Sequence, residues 1–140
     1  MSLYILDTDL LTLLRYGHVE VAARVHATPP EQIAITIISI EEQLTGWYSQ
    51  MRRSRDPDKL ARAYEGLFQV IDSAARIRVI PFSRPAVARY VELRKRLPRL
   101  GKLDLSIAAI ALENGAVLVT RNRRDFERVP DLQLEDWSQG

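Results

Sequence analysis

Residues 3–9, Leu3-Tyr4-Ile5-Leu6-Asp7-Thr8-Asp9, decide the fold. Four apolar residues bounded by an acid read as a short buried strand, and the polar residues that follow read as the start of a helix over residues 8–15. The same strand reading applies to Ile33-Ala34-Ile35-Thr36-Ile37, to residues 77–80 ahead of Pro81, to Ala116-Val117-Leu118-Val119-Thr120 and to Leu132-Gln133-Leu134. Helices are predicted between them. One covers residues 18–27 and stops before Pro29-Pro30, because proline keeps the residue ahead of it out of helical geometry. Ser39 is the expected cap of the next, in which Ile40, Leu44, Trp47, Tyr48 and Met51 recur at helical spacing. Pro57 suits the first turn of a helix over residues 56–74, and Ser83 with Pro85 opens another that runs to Leu97 and ends at Pro98. Residues 103–113 form an unusually apolar helix, stopped by Asn114-Gly115 as a left-handed cap. Strands alternating with helices imply right-handed crossovers and a three-layer α/β fold, a central parallel sheet flanked by helices. Ligands of such sheets sit beyond the carboxyl ends of the strands. Asp7 and residues 120–125 therefore belong at one edge.

The chain has 140 residues, read as a single domain over 1–140, and a domain of that length hides roughly 68% of its unfolded surface on folding. There is no cysteine, which excludes a disulfide framework and a thiolate metal site, and only His18 and His26 offer imidazole, too few for an ordinary zinc site. The longest apolar stretches, residues 33–40 and 105–112, fall short of the roughly 20 residues of a membrane helix. Asp7 and Asp9 stand where a signal peptide would carry a basic segment and an apolar run. The expectation is a soluble cytoplasmic protein with no membrane association. The net charge of +2 says little about partners, but Arg52, Arg53, Arg55, Lys59 and Arg62 form one basic group, Arg94, Lys95, Arg96, Arg99 and Lys102 a second, and Arg121, Arg123, Arg124 and Arg128 a third. Each group suits phosphate binding, and each also reads as a solvated helix face interleaved with acids.

Several acids break the apolar pattern. Asp7 follows a buried strand directly, Glu41-Glu42 sit in the predicted first turn of a helix, Asp104 lies within Leu103-Asp104-Leu105-Ser106-Ile107-Ala108-Ala109-Ile110, and Asp125 follows the strand that ends at Thr120. Each has a structural reading: Asp7 and Asp104 as helix caps, Glu41 and Glu42 as partners of a helix dipole, Asp125 as an exposed acid. Gathered in one place, the same acids repel and raise one another's pKa unless a cation neutralises them. Oxygen ligands without histidine or cysteine select hard ions such as Mg2+ or Mn2+, which activate water and stabilise charge on a phosphodiester.

Tyr4-Ile5-Leu6-Asp7-Thr8-Asp9 resembles the opening strand and first acid of PIN domains, in particular the VapC-type toxins of bacterial toxin–antitoxin pairs. Ile38-Ser39-Ile40-Glu41-Glu42-Gln43-Leu44-Thr45-Gly46 is similar to their second motif, a glutamate four positions before a glycine. Residues 103–109 are similar to the third, residues 119–126 to the fourth, and Val129-Pro130-Asp131-Leu132 with Glu135-Asp136-Trp137 to the family's tail. Five weak motifs in order along the whole chain make a strong signal. The resemblance implies a Mg2+-dependent endoribonuclease, with Mn2+ as a substitute, in which Asp7, Glu42 and Asp104 take the places of the metal-binding acids. It implies an RNA substrate, a small cognate antitoxin that inserts a basic side chain near the acids, and a homodimer. Asn122 stands where many relatives carry aspartate, so the fourth acidic position is either reduced to an amide or replaced by Asp125; Asp9 occupies a place often filled by asparagine or serine.

Two other readings fit parts of the sequence. Asp7-Thr8-Asp9 after an apolar strand also resembles the nucleophile motif of haloacid-dehalogenase-type phosphatases, although residues 122–125 lack the adjacent acids that family needs. A catalytically weak domain that binds RNA or a partner is the alternative that Asn122 favours. Within the glutamate pair, adjacent helical residues point about 100° apart, so only one faces the cluster. The apolar stripe puts Glu41 at its flank and Glu42 on the far side, while a cleft along Ser39, Glu42 and Gly46 would use Glu42. Glu42 is the expected site residue, with Gly46 leaving room for a close approach.

Overall fold

A strand buried on both faces needs apolar residues at every position, and the three longest apolar runs supply them. In the computed structural model, which describes residues 2–139, these runs become β1 (Tyr4–Leu6), β2 (Ile33–Thr36) and β4 (Val117–Val119), joined by β3 (Arg78–Ile80) and β5 (Gln133–Glu135) in one five-stranded sheet. Met1 and Gly140, the ends of the expected domain, lie outside the described residues. The order is β3-β2-β1-β4-β5 and every neighbouring pair is parallel, with Tyr4 opposite Ile33 on one side and opposite Val117 on the other.

Successive strand side chains point to opposite faces, so each strand divides between two cores. Ile5, Ala34 and Leu118 pack with Leu93, Ile107 and Ile110 on one face; Leu6, Ile33, Ile35 and Val119 pack with Leu10, Leu11, Val21 and Trp137 on the other. Helices α1 (Thr8–Arg15) and α2 (Val19–His26) cover the second face, and α5 (Arg84–Arg96) with α6 (Lys102–Glu113) the first. Every residue of α6 from Leu105 to Ala111 is buried, and each large aliphatic side chain hidden in this way contributes about 1.5–3 kcal/mol. Gly115, at φ +59, turns the chain out of α6 in the left-handed conformation that glycine adopts without steric cost. The three-layer architecture expected from the alternation of elements is the one observed.

Local differences have physical causes. Ile37 begins helix α3 (Ile37–Arg53) rather than ending a strand, because Thr36 is the N-cap, its side chain accepting from the Ser39 amide at 3.3 Å. Ser39, the expected cap, is fully buried inside the helix. Glu41 and Glu42 consequently lie beyond the first turn, which removes the helix-dipole reading for both. Helix α4 (Pro57–Arg76) starts as predicted, with Asp56 capping it, and α3 packs against it through Trp47, whose indole lies over Gly66. A 3-10 turn at Pro30–Gln32 and a one-turn helix, α7 (Arg123–Phe126), lie between the predicted elements.

Strand β1 sits at the centre of the sheet. The chain runs outward from it to β2 and β3 on one side, then returns to place β4 and β5 on the other, so the carboxyl ends of β1 and β4 flank the point where the winding reverses. Crevices open at such points.

Candidate active site

Asp7 ends β1 and starts α1. Its amide donates to the carbonyl of Val119 at 3.0 Å, and its Oδ1 accepts from the Leu10 amide at 2.8 Å as the helix N-cap. The capping role is thus real, yet it leaves the second carboxylate oxygen to other partners. With 7% of its surface exposed, Asp7 is costly to ionise: burial pushes its carboxyl up to about 6 against the opposing hydrogen bonds of Thr120 and Leu10, and the charges of Asp9 and Asp104 raise it further.

Glu42 arrives from α3. Thr8 donates its hydroxyl proton to Glu42 Oε1 at 2.7 Å. That commits the only proton Thr8 has, so Ser39, 2.9 Å from the Thr8 oxygen, is the donor in that contact. The chain Ser39 to Thr8 to Glu42 ties the first turns of α1 and α3 together and aims the carboxylate. Burial raises the Glu42 pKa, the Thr8 bond opposes the rise, and Asp104 and Glu41 add to it. Glu41 itself is exposed and does not reach this place.

Asp104 is the third residue of α6 and does not cap it; Gly101 holds the cap position without a side-chain bond. Burial, and then the charge of Asp125, raise its pKa. Its place in the first turn sets it in the favourable field of the helix N-terminus.

These three acids, on three separate elements, line one hollow of about 390 Å³ together with Thr8, Asp9, Arg121 and Asn122, above Ile107 and Phe126. Asp9 does not simply add to the negative charge, because Arg121 grips both of its oxygens, Nε to Oδ2 at 2.7 Å and Nη2 to Oδ1 at 2.9 Å. Asn122 stands in the hollow, while Asp125 lies behind it on α7 and accepts from the side-chain Nδ2 of Asn122 at 3.1 Å. Asp125 therefore acts on the site through its charge on Asp104 and through Asn122. Gly46 lines a separate, neighbouring hollow and borders open space, so it is not the close-approach point expected beside Glu42. Thr8 and Thr120 were not singled out in the sequence, and Ser39 was expected as a cap and along the cleft but not as a donor to Thr8. Thr8 was accessible as the hydroxyl next to Asp7; the Ser39 bond to Thr8 needed the packing of α3, and Thr120 the β1–β4 register. Of the basic groups only Arg121 lines the hollow, while Lys95 lies 3.2 Å from Glu92 and Arg123 3.5 Å from Glu127.

The donor set fits a hard divalent cation. It offers carboxylates, an amide and a hydroxyl, with three acids whose ionisation is opposed by burial and mutual charge. Among the described residues no three acids converge closely enough to chelate one ion directly. Mg2+ is normally held by one or two carboxylates and keeps several waters, so an arrangement this open suits water-mediated contacts.

A family model described as the PIN domain matches residues 4–132. A ribonuclease VapC2 of Rickettsia felis is 30% identical over 146 residues, covering 96% of this chain and 98% of its own. The structure of VapBC-1 from nontypeable Haemophilus influenzae superposes with a TM-score of 0.78 at 25% identity, over 98% of this chain and 99% of that one. A toxin–antitoxin complex from Klebsiella pneumoniae superposes at 0.71 with 26% identity, over 96% and 97% of the two chains.

Proposed function

The chain belongs to the PIN domain family, and on that premise we propose that it is a metal-dependent endoribonuclease acting as the toxin of a toxin–antitoxin pair. The observation that carries the reading is the convergence of Asp7, Glu42 and Asp104 on one hollow at the carboxyl edge of the sheet. A relative named as a ribonuclease and a structural neighbour described as a toxin–antitoxin complex, both matched over nearly the full chain, support it.

Asp7, Glu42 and Asp104 would hold Mg2+, or Mn2+ in its place, which supplies charge neutralisation at a scissile phosphate and a more acidic water. The chain's own residues do the rest. Thr8 and Ser39 keep Glu42 pointed into the hollow, Thr120 and the Leu10 amide fix Asp7, and Arg121 restrains Asp9. Asn122 offers a neutral amide where phosphate oxygens would lie. The antitoxin would act by placing a basic side chain against the same acids. Room for a protein partner exists on α4, where Leu60, Tyr64, Phe68 and Ile71 form an exposed apolar stripe.

Asn122 also favours a second reading, a domain that binds RNA without cleaving it. One experiment separates the two: labelled single-stranded RNA is incubated with the protein in Mg2+, in Mn2+ and after chelation. Cleavage that needs either metal is the expected result. A folded protein that binds RNA but cleaves none in either metal overturns the nuclease reading.

A further inference from the structure

Arg15, at the end of α1, extends into the junction of three helices. Its Nη2 donates to Ser73 Oγ on α4 at 2.8 Å and to Gln43 Oε1 on α3 at 3.3 Å. Both partners are neutral, and among the described residues no acid forms an ion pair with this guanidinium. A half-buried cation without a counter-charge is expensive unless a ligand supplies the charge. Arg15 lines a hollow of about 250 Å³ with Thr12, Tyr16, Gln43, Gly46 and Trp47, and a second hollow of about 320 Å³ continues from it past Tyr16 and Trp47 to Arg62 and Glu65 on α4.

Tyr16 and Trp47 border both hollows. Tyr16 is 75% exposed, whereas Trp47 is braced: a Cβ at Gly66 would stand 2.1 Å from its ring, so the indole lies flat on α4. Along α1, Thr8 of the acid hollow, Thr12 and Tyr16 follow one another four residues apart on one face, about 12 Å from first to last. A stacked strand covers that distance in three or four nucleotides at about 3.4 Å each.

We propose that this crevice between α1, α3 and α4 is an RNA-binding subsite, taking an unpaired base against Tyr16 and Trp47 and a backbone phosphate on Arg15, a few nucleotides from the acid hollow. It rests on the reading of the chain as a ribonuclease. Aromatic faces accept any base, and the amides of Gln43, Gln50 and Gln69 offer donors and acceptors to base edges. Amides, hydroxyls and the two guanidinium groups of Arg15 and Arg62, against the single carboxylate of Glu65, surround the two rings and favour a nucleotide over a protein segment, which the apolar stripe of α4 suits better.

The test uses a labelled six-nucleotide single-stranded RNA, with a chelator present in binding assays so that affinity is read without cleavage, and a dinucleotide for comparison. Tyr16→Ala should weaken hexanucleotide binding by roughly 5- to 150-fold, the worth of one base–aromatic stack, and Tyr16→Phe should restore it. Arg15→Gln should reduce the slope of log affinity against log salt by about one. In both weakened variants the KM advantage of the hexanucleotide over the dinucleotide should shrink. Because Tyr16 is exposed, its truncation opens no cavity. Wild-type affinity and salt slope in Tyr16→Ala and Arg15→Gln overturn the subsite, as does a Tyr16→Ala defect confined to a protein partner. A wild-type protein that binds the hexanucleotide through these residues yet cleaves no RNA upholds the subsite and overturns the ribonuclease reading instead.

Discussion

The acid hollow and the Arg15 crevice are built on the same two helices, α1 and α3, yet they leave opposite charges uncompensated. In the hollow, burial and mutual repulsion hold Asp7, Glu42 and Asp104 toward their protonated forms, and the one cation at hand, Arg121, is spent on Asp9. Less than two turns along α1, Arg15 makes hydrogen bonds only to neutral groups. Elsewhere, Arg76 with Asp72 and Lys95 with Glu92 pair on exposed helix faces, where such bridges contribute little. The contrast teaches that charge left unmatched in half-buried places marks where ligands of the opposite sign belong: a cation at the acids and a phosphate at the arginine.

The contrast breaks first if the acids are dispensable. Asp7→Asn, Asp104→Asn and Glu42→Gln should each lower RNA cleavage by roughly 100-fold or more, the scale of removing one preorganised charged or hydrogen-bonding group from a catalytic site. Glu41→Gln should stay near wild type, because Glu41 is exposed and outside the hollow. Rates on a single RNA in Mg2+ decide this, and loss confined to the Glu41 variant would reassign the glutamate.

A second effect appears in stability rather than turnover. Asp7 binds its proton near pH 6 when folded, against an ordinary value of 3.8, so the folded state holds that proton more tightly than the unfolded one. Its contribution is most favourable below pH 3.8 and is lost as pH rises through about 6, a difference of about 3 kcal/mol at neutral pH. Asp7→Asn keeps an oxygen for the Leu10 amide and removes the charge. In metal-free denaturant unfolding, the variant should exceed wild type by up to about 3 kcal/mol at pH 7 and by little at pH 4. Equal stabilities at pH 7 would show that the hollow tolerates its charge unaided.

The smallest effect tests the crevice alone. Gly66→Ala gains about 1 kcal/mol of helix propensity but drives a methyl into the Trp47 ring, and overpacking of that kind costs about 1–3 kcal/mol. A net loss of about 1 kcal/mol in unfolding, with weaker hexanucleotide binding, is expected. A variant more stable than wild type would mean that Trp47 shifts freely and is not a braced platform.

By itself, the sequence determined the elements and most of the site. Apolar runs closed by Asp7, Pro81 or Asn114-Gly115 left little choice of strand or helix, and a strand such as Ile5-Leu6 with apolar residues on both faces required layers on both sides. Asp7 and Asp104 stood out because an acid beside a buried run is costly without a purpose. Tertiary structure decided whatever depended on which segments meet. Thr36 and Ser39 are equally good caps in isolation, and only the packing of α3 on α1 committed Ser39 to Thr8 and moved the helix start to Ile37. The sequence likewise left Asn122 and Asp125 as alternatives, and α7 turns the first into the hollow and the second behind it. Arg15 looked like an ordinary last-turn base, which stabilises a helix in the same way wherever it sits. Its isolation from acids arises from segments 28 and 58 residues away in the chain, and no local pattern encodes a missing partner.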